Sequence, residues 1–173
     1  ENGRPLLMQV GETSLTETLV IDGGTGGALR GQGIGNILTA SNSLLRLNSK
    51  LVYTGTKASG EAAIHYERSE FSLQNLMVLG KSAADIIADS GTRTPVGFEI
   101  HRSAEGSVGT GKVMMENTIF SGFDVCIDIG ADLSDANCDT SYFRNVAGHK
   151  SGTFVRVNNI QGLTYKFDFF RVP

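Results

Sequence analysis

Five short segments share one pattern, a polar residue directly after an aliphatic one: Leu45-Arg46, Ile64-His65, Ile100-His101, Ile127-Asp128 and Val155-Arg156. If these segments stack, Arg46, His65, His101, Asp128 and Arg156 form one polar line. Imidazole and carboxylate near guanidinium can bind a sugar acid or move a proton, and an Asp beside a His sets the ring's tautomer. The plainer account is that a sheet facing water carries polar residues, with opposite charges on neighbouring strands. Two His and one Asp in a line do not converge as metal ligands do, so no metal is expected. Three carboxylate pairs could support acid–base hydrolysis: Glu67 with Glu70, Glu99 with Asp128, and Asp124 with Asp128. If there is catalysis, His65, His101 and Asp128 are its first candidates.

Other chemistry-bearing motifs fail on their own terms. Gly106-Ser107-Val108-Gly109-Thr110-Gly111-Lys112-Val113 matches a phosphate-binding loop except at its last position. That position needs a hydroxyl for magnesium, and a helix must follow it. Here Val113 replaces the hydroxyl, and Lys112–Asn117 reads as a strand. Gly80-Lys81-Ser82 has the right ending, but Asn75 stands where the first glycine belongs. The run from Gly23 to Gly35 holds no complete dinucleotide fingerprint. No cofactor is expected. Cys126 and Cys138 could form a disulfide, but two buried free thiols are the expectation.

The elements that must position these residues are short strands. Among 173 residues there are 22 Gly, 3 Pro and no Trp, with 40% hydrophobic and 19% charged. So much glycine without a collagen period excludes a helix bundle and requires many tight turns. A formal charge of −3 offers no basic surface for a nucleic-acid backbone. No stretch approaches the roughly 20 apolar residues of a membrane span, and Glu1-Asn2-Gly3-Arg4-Pro5 does not read as a signal peptide. Lys81–Asp89 carries the best helical signal, about two turns inside a loop.

A repeat organises the rest. A long segment type appears as Leu73–Gly80, Met115–Gly122, Cys138–Asn145 and Tyr165–Val172, and the short type described above alternates with it. Ile100 to Ile127 is 27 residues and Ile127 to Val155 is 28; Phe120 to Phe143 is 23 and Phe143 to Phe170 is 27. A coil of three strands and three turns needs roughly 24 residues. Longer steps leave room for loop insertions at 81–96 and 103–111. A propeller blade would need a longer period.

With this pattern, the turn residues Asn75 and Asn117, and the opening Leu19-Val20-Ile21-Asp22-Gly23-Gly24 followed by Leu29–Asn36, the chain resembles the right-handed parallel β-helix of the pectate-lyase-like superfamily. Phage tail-spike and tail-fibre domains are among its members. The resemblance covers about Leu19 to Val172. It implies an all-β fold: a single-stranded solenoid of about 5–7 coils, one domain over 1–173, with one or two loop insertions. The chain reads as a fragment of something longer or a module capped by another chain. The family includes lyases, hydrolases, epimerases and inert shafts. A calcium-dependent lyase would want a carboxylate cluster with an arginine base, which Asp135, Asp139 and Arg144 do not form.

Within such a coil the expected inward columns are Leu45, Ile64, Ile100, Ile127, Val155; Leu73, Met115, Cys138, Tyr165; and Val78, Phe120, Phe143, Phe170. Asn75 should stack over Asn117 in a short ladder that Thr140 and Phe167 end. Outward, Arg46, His65, His101, Asp128 and Arg156 form a carbohydrate-binding column. Met77, Ile119, Tyr142 and Phe169 form an apolar one, covered by a neighbouring subunit or a packed loop. By analogy with tail spikes the expected assembly is a homotrimer or a capped chain, on a virion surface or outside the cell. The leading expectation is a structural or receptor-binding module that binds carbohydrate. A polysaccharide lyase or glycoside hydrolase is the alternative, and a bacterial surface adhesin a weaker one.

Overall fold

The computed structural model describes residues 6–21, 27–32, 49–66, 70–100, 110–130, 138–158 and 164–168, with backbone alone at 110, 111, 138, 139, 164 and 165. In chain order the strands begin with β1 (Leu6–Leu7), β2 (Gly11–Leu15), β3 (Leu19–Ile21), β4 (Gly27–Arg30), β5 (Ser49–Tyr53) and β6 (Ala62–Tyr66). They continue with β7 (Glu70–Leu79), a short helix α1 (Ala83–Ala88), β8 (Thr94–Ile100), β9 (Thr110–Ser121) and β10 (Phe123–Ile129). β11 (Cys138–His149), β12 (Thr153–Val157) and β13 (Thr164–Asp168) complete the described chain. The protein is all-β, built from parallel sheets. One sheet runs β12-β10-β8-β6-β3, and the other runs β1-β4-β7-β9-β11-β13 with β2 and β5 alongside. From β6 onward the strands alternate between the two sheets, so each repeat adds one strand to each.

Alternation within each strand decides what is buried. Leu19, Ile64, Phe98, Ile127 and Val155 form one in-register row of the first sheet. Leu29, Leu73, Met115, Phe143 and Phe167 form the facing row of the second. Between the sheets Tyr66, Phe71 and Phe98 pack ring against ring, and Phe143 stacks at 5.0 Å on Phe167, which stays 43% exposed at the end of the row. Each such side chain removed from water contributes roughly 1.5–3 kcal/mol.

The long strands turn a corner at asparagine. Asn75, Asn117 and Asn145 have left-handed backbones, with φ of 56°, 49° and 51°. Asn tolerates this conformation better than most residues because its short amide can bond locally. The left-handed residue reverses the alternation. Phe71 and Leu73 face the core before the corner, and Leu76 and Val78 after it. In the earlier repeats the two halves are separate strands. β4 pairs with the first half of β7 and β5 with the second. At the matching corner stands Gly31, whose added Cβ would lie 2.1 Å from the Asn75 carbonyl oxygen. Only a glycine fits so close to another backbone.

The corner corrects the expected alignment. Asn117 Nδ2 donates to Asn75 Oδ1 at 3.0 Å, and Asn145 Nδ2 donates to Asn117 Oδ1 at 2.8 Å. The ladder therefore has a third rung at Asn145 and does not end at Thr140. Phe143 lies beside Met115, where Cys138 was expected, and Gly148 lies beside Phe120, where Phe143 was expected. The glycine leaves space that the Phe154 ring fills, 2.5 Å from where a Cβ would sit. Tyr165 pairs with Ser141, not with the Met115 row. In the first sheet Phe98, not Ile100, lies between Ile64 and Ile127. Leu45 and Phe170 lie outside the described residues.

The chain segment after β7 forms a strap over the outside of the second sheet. Ser82 caps α1 by accepting the Asp85 N–H at 3.1 Å, and Asp89 closes it in a left-handed conformation. Lys150 donates to the Ile87 carbonyl at 3.1 Å, a group the helix end leaves open, and Lys81 donates to the Ser90 carbonyl just beyond the cap at 2.6 Å. Ile86 is buried against Val52, Met77, Leu79, Ile119 and Ala147. The helix falls inside the expected 81–89 stretch, while 94–96 belong to β8 and 110–111 to β9. Lys112–Asn117 is strand, as the failed phosphate-loop motif required. Cys126 is a buried free thiol; the Cys138 side chain lies outside the description. Among the described residues no helix is long and apolar enough to cross a membrane.

Candidate functional site

The polar line forms on the outer face of the first sheet. In β6, β8, β10 and β12 one polar residue sits between two apolar ones: Ile64-His65-Tyr66, Phe98-Glu99-Ile100, Ile127-Asp128-Ile129 and Val155-Arg156-Val157. Apart from Val157, which is 46% exposed, the flanking residues face the core, so the central one faces outward. Parallel pairing then places Val20, His65, Glu99, Asp128 and Arg156 in one row. Successive members stand about 4.8 Å apart, the spacing between neighbouring strands.

The row is paired along its length. His65 Nδ1 lies 2.5 Å from Glu99 Oε2. A carboxylate accepts, so the proton resides on Nδ1. Arg156 grips Asp128 with two parallel donors, Nε to Oδ1 at 3.0 Å and Nη2 to Oδ2. The Asp128 side chain is only 1% exposed, whereas that of Arg156 is 47% exposed. This hydrogen bond raises the guanidinium above its ordinary pKa. Two carboxylates on adjacent strands would repel. Here each is offset by a base on its far side, giving the order base, acid, acid, base.

Three predicted members, His65, Asp128 and Arg156, are brought together. Glu99 occupies the place expected for His101, which lies with Arg46 outside the described residues. Of the carboxylate pairs, Glu99 and Asp128 are in-register neighbours. Asp124 lies exposed on the same strand as Asp128, and Glu70 lies on the other sheet, 3.8 Å from Lys112. Glu67 and Asp135 are outside the description. Arg144 pairs with Glu116 at 3.4 Å. Among the described residues no three His, Cys, Asp or Glu side chains gather to hold a metal ion.

The expected apolar column divides. Met77 and Ile119 are buried beneath α1, so a loop of the same chain covers them. Tyr142 belongs to the other half of the long strand, in register with Met114. Phe169 lies outside the described residues.

Two further polar clusters serve the framework. Glu61 accepts from the Tyr53 and Thr56 hydroxyls and the Ala58 N–H, and these bonds, Tyr53's foremost, hold its carboxyl below the usual range. The Tyr53 phenol is pushed up to about 12, chiefly by burial. Together they pin the loop between β5 and β6. Ser121 Oγ lies 3.2 Å from His149 Nδ1 but donates to the His149 carbonyl at 2.9 Å. Ser121 is fully buried, and its proton is committed to a carbonyl, so the pair is not an activated nucleophile. No protein-family model, curated protein or solved structure matches the chain.

Proposed function

We propose that the chain is a right-handed parallel β-helix module, of the pectate-lyase-like kind, in the structural or receptor-binding part of a viral or phage tail-spike-like surface protein. Its role is to hold carbohydrate against His65, Glu99 and Arg156 of the row, with the buried Asp128 anchoring Arg156 from behind. The stacked parallel sheets and the left-handed asparagine corners support the solenoid reading. One observation carries the binding role over catalysis: the acids and bases of the row are hydrogen-bonded to one another. Both Asp128 oxygens are engaged by Arg156, and Glu99 Oε2 is engaged by His65. Such a row presents fixed donors and acceptors, as recognition requires, while general acid–base catalysis needs a group aimed at the reacting bond.

The test is calorimetric titration with neutral and acidic polysaccharides, alongside assays for unsaturated products and new reducing ends. Binding without turnover, weakened by Glu99→Gln and Arg156→Lys, is the expected result. Turnover abolished by Glu99→Gln would replace this reading with a glycosidase or lyase, which the adjacent carboxylates Glu99 and Asp128 favour as the alternative. Binding unchanged in both variants would move the site elsewhere.

A further inference from the structure

The strap covers only the half of each long strand that follows its asparagine corner. Ahead of the corner the outer face of β9 presents Lys112, Met114 and Glu116, and Tyr142 stands beside Met114 on β11. Met114 and Tyr142 are 48% and 39% exposed, an apolar pair between charged neighbours. Glu70 lies 3.8 Å from Lys112, and Arg144 lies 3.4 Å from Glu116. The apolar column expected from the sequence ran through Met77, Ile119, Tyr142 and Phe169; α1 buries Met77 and Ile119, and among the described residues this face keeps only Tyr142 of that column.

We propose that the face binds a second copy of this chain through a two-fold axis lying in the plane of contact. An isologous contact must be self-complementary, each residue meeting its symmetry-related partner. Both in-plane axes satisfy this. An axis along the stack reverses the strand direction and keeps each layer opposite itself. Met114 then meets Met114, Tyr142 meets Tyr142, and Lys112 meets Glu116. An axis along the strands exchanges the two layers, so Met114 meets Tyr142 and Glu116 meets Arg144. About the stack axis the apolar centre lies between ion pairs, whereas about the strand axis both Glu116–Arg144 pairs lie at one end and Lys112 meets Thr140 at the other; in either case Glu116 faces a cation of the other copy. The existing exposed pairs within each chain are weak enough to be shared across the contact.

The face is about four strands wide and five residues long, roughly 19 Å by 17 Å, which places the dimer among small, transient interfaces. Sedimentation equilibrium from about 10 µM to about 1 mM should therefore show reversible dimerisation. Tyr142→Glu and Glu116→Arg should each raise the dissociation constant at least tenfold, with thermal melts confirming that both fold. Adding Lys112→Glu to Glu116→Arg should restore dimers if the axis runs along the stack. Adding Arg144→Glu should restore them if it runs along the strands. A monomeric mass throughout, a trimeric mass, or rescue by neither reversal overturns the proposal. So does a monomer whose binding to a polysaccharide is weakened by Tyr142→Ala, since the face would then hold a glycan. The outcome is independent of the His65–Arg156 row, whose variants should leave self-association unchanged.

Discussion

Replacing Asn117 isolates the contribution of the corner. Its side chain donates to Asn75 and accepts from Asn145, so truncation removes two hydrogen bonds. At about 0.5–1.5 kcal/mol each, this costs roughly 1–3 kcal/mol. The backbone adds a second effect, because φ at this position is 49°. An alanine there bears a left-handed penalty of roughly 1–2 kcal/mol, giving a total near 2–5 kcal/mol for Asn117→Ala. Glycine loses the same hydrogen bonds but enters this region freely, so Asn117→Gly should cost less by about 1 kcal/mol. In an ordinary strand position glycine is instead the worse residue by about 0.5–1 kcal/mol. The comparison therefore turns on a change of sign. Urea denaturation with a common slope for the three proteins measures it. An alanine variant as stable as the glycine variant would refute the left-handed corner, and a loss below about 1 kcal/mol in both would refute the ladder's contribution.

Four further outcomes are expected. Arg156→Ala leaves the buried Asp128 carboxylate without its grip and should cost roughly 2–4 kcal/mol in thermal or urea unfolding, while Asp128→Asn should cost less. His149 is held below its ordinary value of 6.5, first by burial and then by Lys150. The unfolded chain therefore takes up the proton first, and stability should fall as pH drops from about 6.5 towards the lower folded value, a dependence that His149→Gln removes. The Cys126 thiol, pushed up to about 12 by burial, should resist alkylation near pH 8 until denaturant is added; rapid labelling of the native protein would contradict its placement. Ile86→Ala should cost about 2–4 kcal/mol or detach the strap, seen as faster amide exchange over residues 82–91 with β9 still protected.

Much was legible because it is local. Alternation of apolar and polar residues identified strands, and it assigned Ile64, Ile127 and Val155 to one inward row and Leu73 with Met115 to another. Glycine content demanded turns, and Lys81–Asp89 carried the signal of a short helix. A two-residue period, however, is unchanged by a two-residue slip. Ile100 and Phe98 stand two residues apart, so the sequence could not say which lies beside Ile127; Glu99 was paired with Asp128 only as a carboxylate couple, and its place in the outward column went to His101. The long strands mislead for another reason: a left-handed asparagine reverses the alternation midway, so apolar residues lie on both faces. Asn145 carried the true register, since it lies 28 residues after Asn117, the same step as from Ile127 to Val155. Which apolar side chains a remote segment covers is a matter of the folded chain alone. Ile86 lies 33 residues from Ile119 and 61 from Ala147, yet it buries both. Local pattern thus determined which way most side chains point. Pairing between repeats, which depends on hydrogen bonds and packing between distant segments, decided what each one meets.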